Sequence, residues 1–216
     1  MVPTPALDPE SFLRSVVASR ATLGLSPMKL LDIVSHVTAL TDGAPYAIVG
    51  GLAQILWARK THTDDLDIAL SSASLLAAYD RVTSGRAERG WALPSPPDRA
   101  HEANDVFEVY HLLFDGAVVD LLSFRTATFN EEILSTAVSV PALGNLRFVR
   151  PELLLVTQLL RPGPRAAVAA IDLVVARGEL DGGLDVDYTR AWARAVGREA
   201  GLDRALSVAA ALRSSS

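Results

Sequence analysis

Apolar positions along this chain recur with two periods, and the changes between them lay out the elements. Residues 46–49 (YAIV) form a short β-prone apolar run that stops at Gly50-Gly51, after which Leu52, Ile55 and Leu56 recur at helical spacing as far as Arg59. A strand therefore feeds a helix through two glycines. Residues 65–70 (DLDIAL) return to period two, so Asp65 and Asp67 point to one face and Leu66, Ile68 and Leu70 to the other. Residues 106–114 (VFEVYHLLF) and 117–124 (AVVDLLSF), joined by Asp115-Gly116, predict a β-hairpin with Asp120 inside its second strand.

The same patterning organises the rest. Asp8-Pro9 predicts the start of a helix running to about Leu23, and Ser26-Pro27 the start of a second, with Leu30, Val34, Val37 and Leu40 on one face and Asp42-Gly43 at its end. Its His36 has no acid or second histidine at i+4 and reads as a surface or half-buried residue. Ser72 can cap a helix bearing Leu75, Leu76 and Tyr79 that fades by Gly90. The Pro-rich stretch 91–99 reads as a loop, either a plain linker or a lid. A second small hairpin is predicted from 137–140 and 146–149. From Glu152 the pattern is helical: 152–160 is apolar almost all round, Pro162-Gly163-Pro164 breaks it, and helices follow near 165–177, 187–200 and 202–213. These elements predict an α+β protein, with a unit at 1–150 (1–43 being supporting helices) and a helical unit at 151–216.

Two parts of this layout bear on chemistry. Gly-Gly at the start of a helix leaves free N–H groups open to an anion such as phosphate, or serves simply as a turn. Asp65 and Asp67 side by side repel one another unless a cation neutralises them, and carboxylate oxygens on a rigid strand suit Mg²⁺. The other reading is a solvated strand edge with Asp64 as a third surface acid. Asp120, flanked by Val118-Val119 and Leu121-Leu122, needs a partner if buried, and a cation shared with Asp65 and Asp67 supplies one; otherwise it faces solvent. Arg161 and Arg165 flank the helix break, where a guanidinium either reaches a triphosphate or stays exposed. Trp192 reads as a core residue or as a base-stacking one.

Val49-Gly50-Gly51, the helix after it, Asp65-Leu66-Asp67-Ile68 and the later Val119-Asp120-Leu121 together resemble the nucleotidyltransferase signature of the DNA polymerase beta superfamily. Thr63 two residues before Asp65, and the segment 146–154 followed by a helix, look most like the abortive-infection Eii type, the toxin half of many bacterial toxin–antitoxin pairs. The resemblance covers roughly residues 44–177. It implies a mixed sheet flanked by helices and followed by a C-terminal helical bundle. It also implies Mg²⁺ or Mn²⁺ held by Asp65, Asp67 and Asp120 as the catalytic residues, and an NTP such as ATP contacted by Gly50, Gly51, Thr63, Arg59, Gln158, Arg165 and Asp172. The acceptor it implies is RNA, a tRNA end foremost, or a protein, with an antitoxin protein as partner. Several positions depart from the pattern. Gly51-Leu52-Ala53 offers no hydroxyl, Gln158 stands where that branch usually has Lys, Thr61 stands where a basic residue is usual so that Arg59 or Lys60 would substitute, and Arg165 with Asp172 stand for a Lys/Arg–Asp pair.

Composition narrows the choice. Half of the 216 residues are hydrophobic, so a proper core can form, and a net charge of -5 argues against a general binder of DNA or other polyanions. With no cysteine and four scattered histidines, carboxylates are the ligand set for a metal. The first residues, MVPTPALDPESF, lack a basic region followed by an apolar run, and no stretch approaches ~18 apolar residues, which predicts a cytoplasmic protein without membrane attachment. The alternatives to a toxin-type enzyme are a transferase acting on a small, aminoglycoside-like acceptor and a retired catalytic domain serving as a nucleotide- or protein-binding module.

Overall fold

The computed structural model describes residues 28–58, 65–178 and 183–214, together with Pro5, Ser11 and Thr63. The helix expected at 8–23 lies outside them. In chain order the described elements are α1 (Met28–Leu40), β1 (Ala47–Ile48), α2 (Gly50–Trp57), β2 (Asp65–Ala69), α3 (Ser72–Thr83), β3 (Trp91–Ala92), β4 (His101–Ala103), β5 (Phe107–Phe114), β6 (Ala117–Phe124), α4 (Ala127–Ser135), β7 (Val138–Val140), β8 (Leu146–Phe148), α5 (Pro151–Leu160), α6 (Pro164–Gly178), α7 (Val186–Ala195) and α8 (Glu199–Ser214). Eight strands form one mixed sheet in the order β3-β5-β6-β2-β1-β8-β7, with β4 also pairing β5. β2 runs parallel to β6 and β1 parallel to β8, and the remaining pairs are antiparallel. The class is α+β, and every element after β8 is helical. Among the described residues no helix is long and apolar enough to cross a membrane.

The hairpin β5–β6 forms as its turn chemistry demands. Asp115 (φ 48°) and Gly116 (φ 83°) both adopt positive φ, the two-residue turn whose twist matches the strands. Alternation holds in β2, where Leu66 and Ile68 are shut in the core while Asp65 and Asp67 are only partly buried. In β6 the buried Val119 and Leu121 sit beside Leu66 and Ile68, and Asp120 sits beside Asp67.

Several boundaries differ from the sequence reading. α2 begins at Gly50 itself, because Gly50 (φ 57°) makes the turn within a single residue. α3 is capped by Ser71 rather than Ser72: the Ser71 Oγ accepts the Ser74 N–H at 3.1 Å, and the helix ends at Thr83. The 91–99 loop contains β3, since Trp91 and Ala92 pair with Phe114 and Leu113, and His101 and Glu102 just beyond it belong to edge strand β4. Helix α4 was not expected; its Phe129, Ile133 and Leu134 are buried, a stripe too short to stand out against the neighbouring strands. α7 stops at Ala195, and α8 starts at Glu199 rather than Leu202.

α5 is the buried helix its composition predicts, with Leu153 to Val156 shut off from solvent. It packs on α2, α6 and α7, while α2 also packs on β2 and α6. Among the described residues one hydrophobic cluster runs from Ile33 through the sheet to Ala209. Trp192 belongs to its margin, 5.6 Å from Phe129 between ring centroids, as the core reading requires. His36 is half-buried and pairs with Glu88 at 2.7 Å.

Candidate metal centre and adjoining cleft

Two parallel strands bring three aspartates together. Asp67 stands directly opposite Asp120 in the β2–β6 register, with Asp65 two residues earlier on the same face, so one oxygen from each carboxylate falls within 4.8 Å of the other two. Charges this close do not all ionise freely. Burial, followed by the charges of Asp65 and Asp120, pushes the Asp67 carboxyl up to about 7, partly offset by the Gly51 N–H and the Arg161 guanidinium.

The surroundings hold each carboxylate in place. The Gly51 N–H donates to Asp67 Oδ2 at 3.2 Å, and a Cβ on Gly50 would collide with the same carboxylate. The two glycines therefore let Asp67 lie against the backbone where α2 begins, a use beyond the turn or anion seat that the sequence suggests. Thr63 donates its hydroxyl to Asp65 Oδ1 at 2.9 Å. His111, on the neighbouring strand β5, sets its Nδ1 2.8 Å from Asp120 Oδ1, and its Nε2 lies 3.9 Å from Glu102 Oε2. That hydrogen bond to Asp120, joined by the charges of Asp120, Glu102 and Asp67, raises the His111 pKa against the opposing effect of burial.

The donor set fits a hard divalent cation. It is all carboxylate oxygen, it comes from rigid strands, and in one member burial together with the repulsion of the other two raises the pKa, a cost that a cation relieves.

A cleft of about 950 Å³ opens beside this centre. Gly51, Thr63, Asp65 and Asp67 line its sheet side. Gln158 on α5, Arg161 at the helix break, and Arg165 and Asp172 on α6 line the other. The break at 162–164 thus turns two arginines toward the acids. Arg59, Lys60, Thr61 and Asp64 lie outside the described residues. Among the described residues, none of 91–99 lines this cleft.

Two residues at the site escaped the sequence reading. His111 was recoverable: a two-residue turn at 115–116 fixes the partners of the hairpin and sets 111 opposite 120. Gln54, which lines the cleft while only 6% exposed, had a weaker signal as the one polar side chain in the helix GGLAQILW. No protein-family model matches this sequence, and no curated protein matches it.

Proposed function

We propose that this protein is a metal-dependent nucleotidyltransferase of the polymerase beta type, moving an NMP from an NTP to an acceptor hydroxyl. The reading extends to a toxin of a toxin–antitoxin pair that modifies RNA, a tRNA end foremost, or a protein, in the cytoplasm where NTPs are held. One observation carries it: three aspartates from adjacent parallel strands meet within 4.8 Å beside a cleft that bears two arginines.

Asp65, Asp67 and Asp120 would hold Mg²⁺ or Mn²⁺. When bound there, the cation supplies Lewis-acid stabilisation of charge on the transferring and leaving phosphate oxygens. The residues do the rest. The Gly50-Gly51 start of α2 and the cleft arginines seat the triphosphate. Asp120 accepts the proton of the acceptor hydroxyl as its oxygen bonds to the α-phosphorus and the bond to pyrophosphate breaks. His111 keeps the Asp120 carboxylate oriented throughout, through its Nδ1 hydrogen bond.

The test is direct. Purified protein is incubated with each labelled NTP, Mg²⁺ and total RNA, and label is expected on RNA or on protein. Asp65→Ala, Asp67→Ala and Asp120→Ala are each expected to lower the rate by at least about a thousandfold, since each strips the centre of a ligand. Transfer surviving in those variants removes the mechanism.

A further inference from the structure

We infer that Gln54 is a phosphate-contacting residue, donating a hydrogen bond from its side-chain amide to the polyphosphate of a nucleoside triphosphate in the cleft. The inference rests on the nucleotide-binding reading above and adds a residue to it. Among the described residues Gln54 Nε2 finds no hydrogen-bond partner while it is buried, although a buried amide donor left unpaired is destabilising. α2 is otherwise apolar, so packing gives no reason for a glutamine here. Its place does give one. Gln54 lies one turn beyond Gly50-Gly51, and with Gly51 it forms the α2 strip that lines the cleft, continued by Ala58 just past the helix end. Because Leu52 and Ala53 carry no polar hydrogen, Gln54 is the first side chain of the helix that can donate to a ligand beside the aspartates.

The company it keeps selects the ligand. Across the cleft stand Gln158, only 4% exposed, and the donors Arg161 and Arg165. One side of the cleft therefore offers carboxylates suited to a cation, and the other offers amide and guanidinium donors. A polyphosphate chelating a divalent cation matches both, since its non-bridging oxygens accept hydrogen bonds and donate none. A half-turn of the Gln54 amide exchanges Oε1 and Nε2 without changing its shape, so the donor can follow the ligand.

The experiment measures four affinities on the intact protein: Mn²⁺ alone, Mn²⁺ with inorganic tripolyphosphate, Mg²⁺ with ATP, and adenosine. Gln54→Met keeps the length and removes the amide, and Gln54→Leu repeats the removal with a different shape. Both variants are expected to bind tripolyphosphate and ATP about tenfold to a hundredfold more weakly, as loss of a hydrogen bond to a charged group implies. Mn²⁺ affinity should stay unchanged and melting temperature unchanged or higher, because an unpaired donor has been removed. Loss confined to ATP and adenosine, with tripolyphosphate bound as before, overturns the inference in favour of nucleoside recognition. Variants that bind both polyphosphates like wild type overturn the inference alone. Wild-type protein that binds neither overturns the nucleotide reading and this inference with it.

Discussion

At the scale of the residue, Asp67 is the most constrained group. It lies against Gly50, accepts from the Gly51 N–H and shares its face with two other carboxylates. With its pKa raised from 3.8 to about 7, the fold favours the protonated form. Without a cation, Asp67 therefore supports folding fully below pH 3.8, and that contribution is lost as pH rises through about 7. A divalent cation binds only the ionised trio and must displace the proton at lower pH. The melting-temperature rise produced by Mg²⁺ or Mn²⁺ should accordingly be larger at pH 8 than at pH 6. Differential scanning fluorimetry at matched ionic strength checks this, and a rise independent of pH would show that Asp67 is not a ligand. The alternation of DLDIAL made the pairing of Asp65 with Asp67 legible. What it could not reveal was the role of Gly50, because a requirement for no Cβ depends on what another strand presses against it.

At the scale of the element, the centre depends on β2 and β6 keeping register. The unexpected helix α4 clamps them: Asn130, buried, accepts the Phe124 N–H at 3.0 Å and donates to the Leu70 carbonyl at 2.9 Å. Leu70 in turn donates its N–H to Leu122 O at 2.8 Å. Asn130→Ala strands a backbone donor and acceptor in the interior and should cost on the order of 3 kcal/mol in urea unfolding. Mn²⁺ affinity should fall as well, because the two strands that carry the ligands lose a shared tie. An unchanged midpoint would show that the clamp is dispensable. The hairpin β5–β6 was readable because its turn is a local matter of positive φ at Asp115 and Gly116. That β2 neighbours β6 is expected only through a cation shared by their aspartates and through the family resemblance, since it is a parallel contact between strands some fifty residues apart and no short-range rule fixes its register.

At the scale of the whole molecule, the helices after residue 150 do more than cover the sheet. α5 carries Gln158 and ends just before Arg161, and α6 brings Arg165 and Asp172 to the same cleft as the aspartates, so the cleft has two walls from distant parts of the chain. Long-range polar ties join the same parts. Trp57 donates to Val149 O at 2.6 Å, the Tyr188 hydroxyl donates to Glu132 at 2.5 Å, and Arg150 lies over the Tyr188 ring. Arg177, fully buried on α6, donates to Gly183 O and sits 6.0 Å from the centre of the Trp57 ring. Ending the chain at residue 150 would expose the face of α2 that packs on α5 and α6. Such a fragment should lose cooperative thermal unfolding by circular dichroism, whereas a sharp transition would show that the sheet needs no helical partner. The sequence alone determined which residues alternate, where the turns fall and that three acids sit on strands, because these follow from local backbone geometry. Only the tertiary structure decided that the three acids converge, that His111 and Gln54 join them, and that arginines face them across a cleft. Those are distances between segments far apart in the chain, set by how one shared hydrophobic core packs.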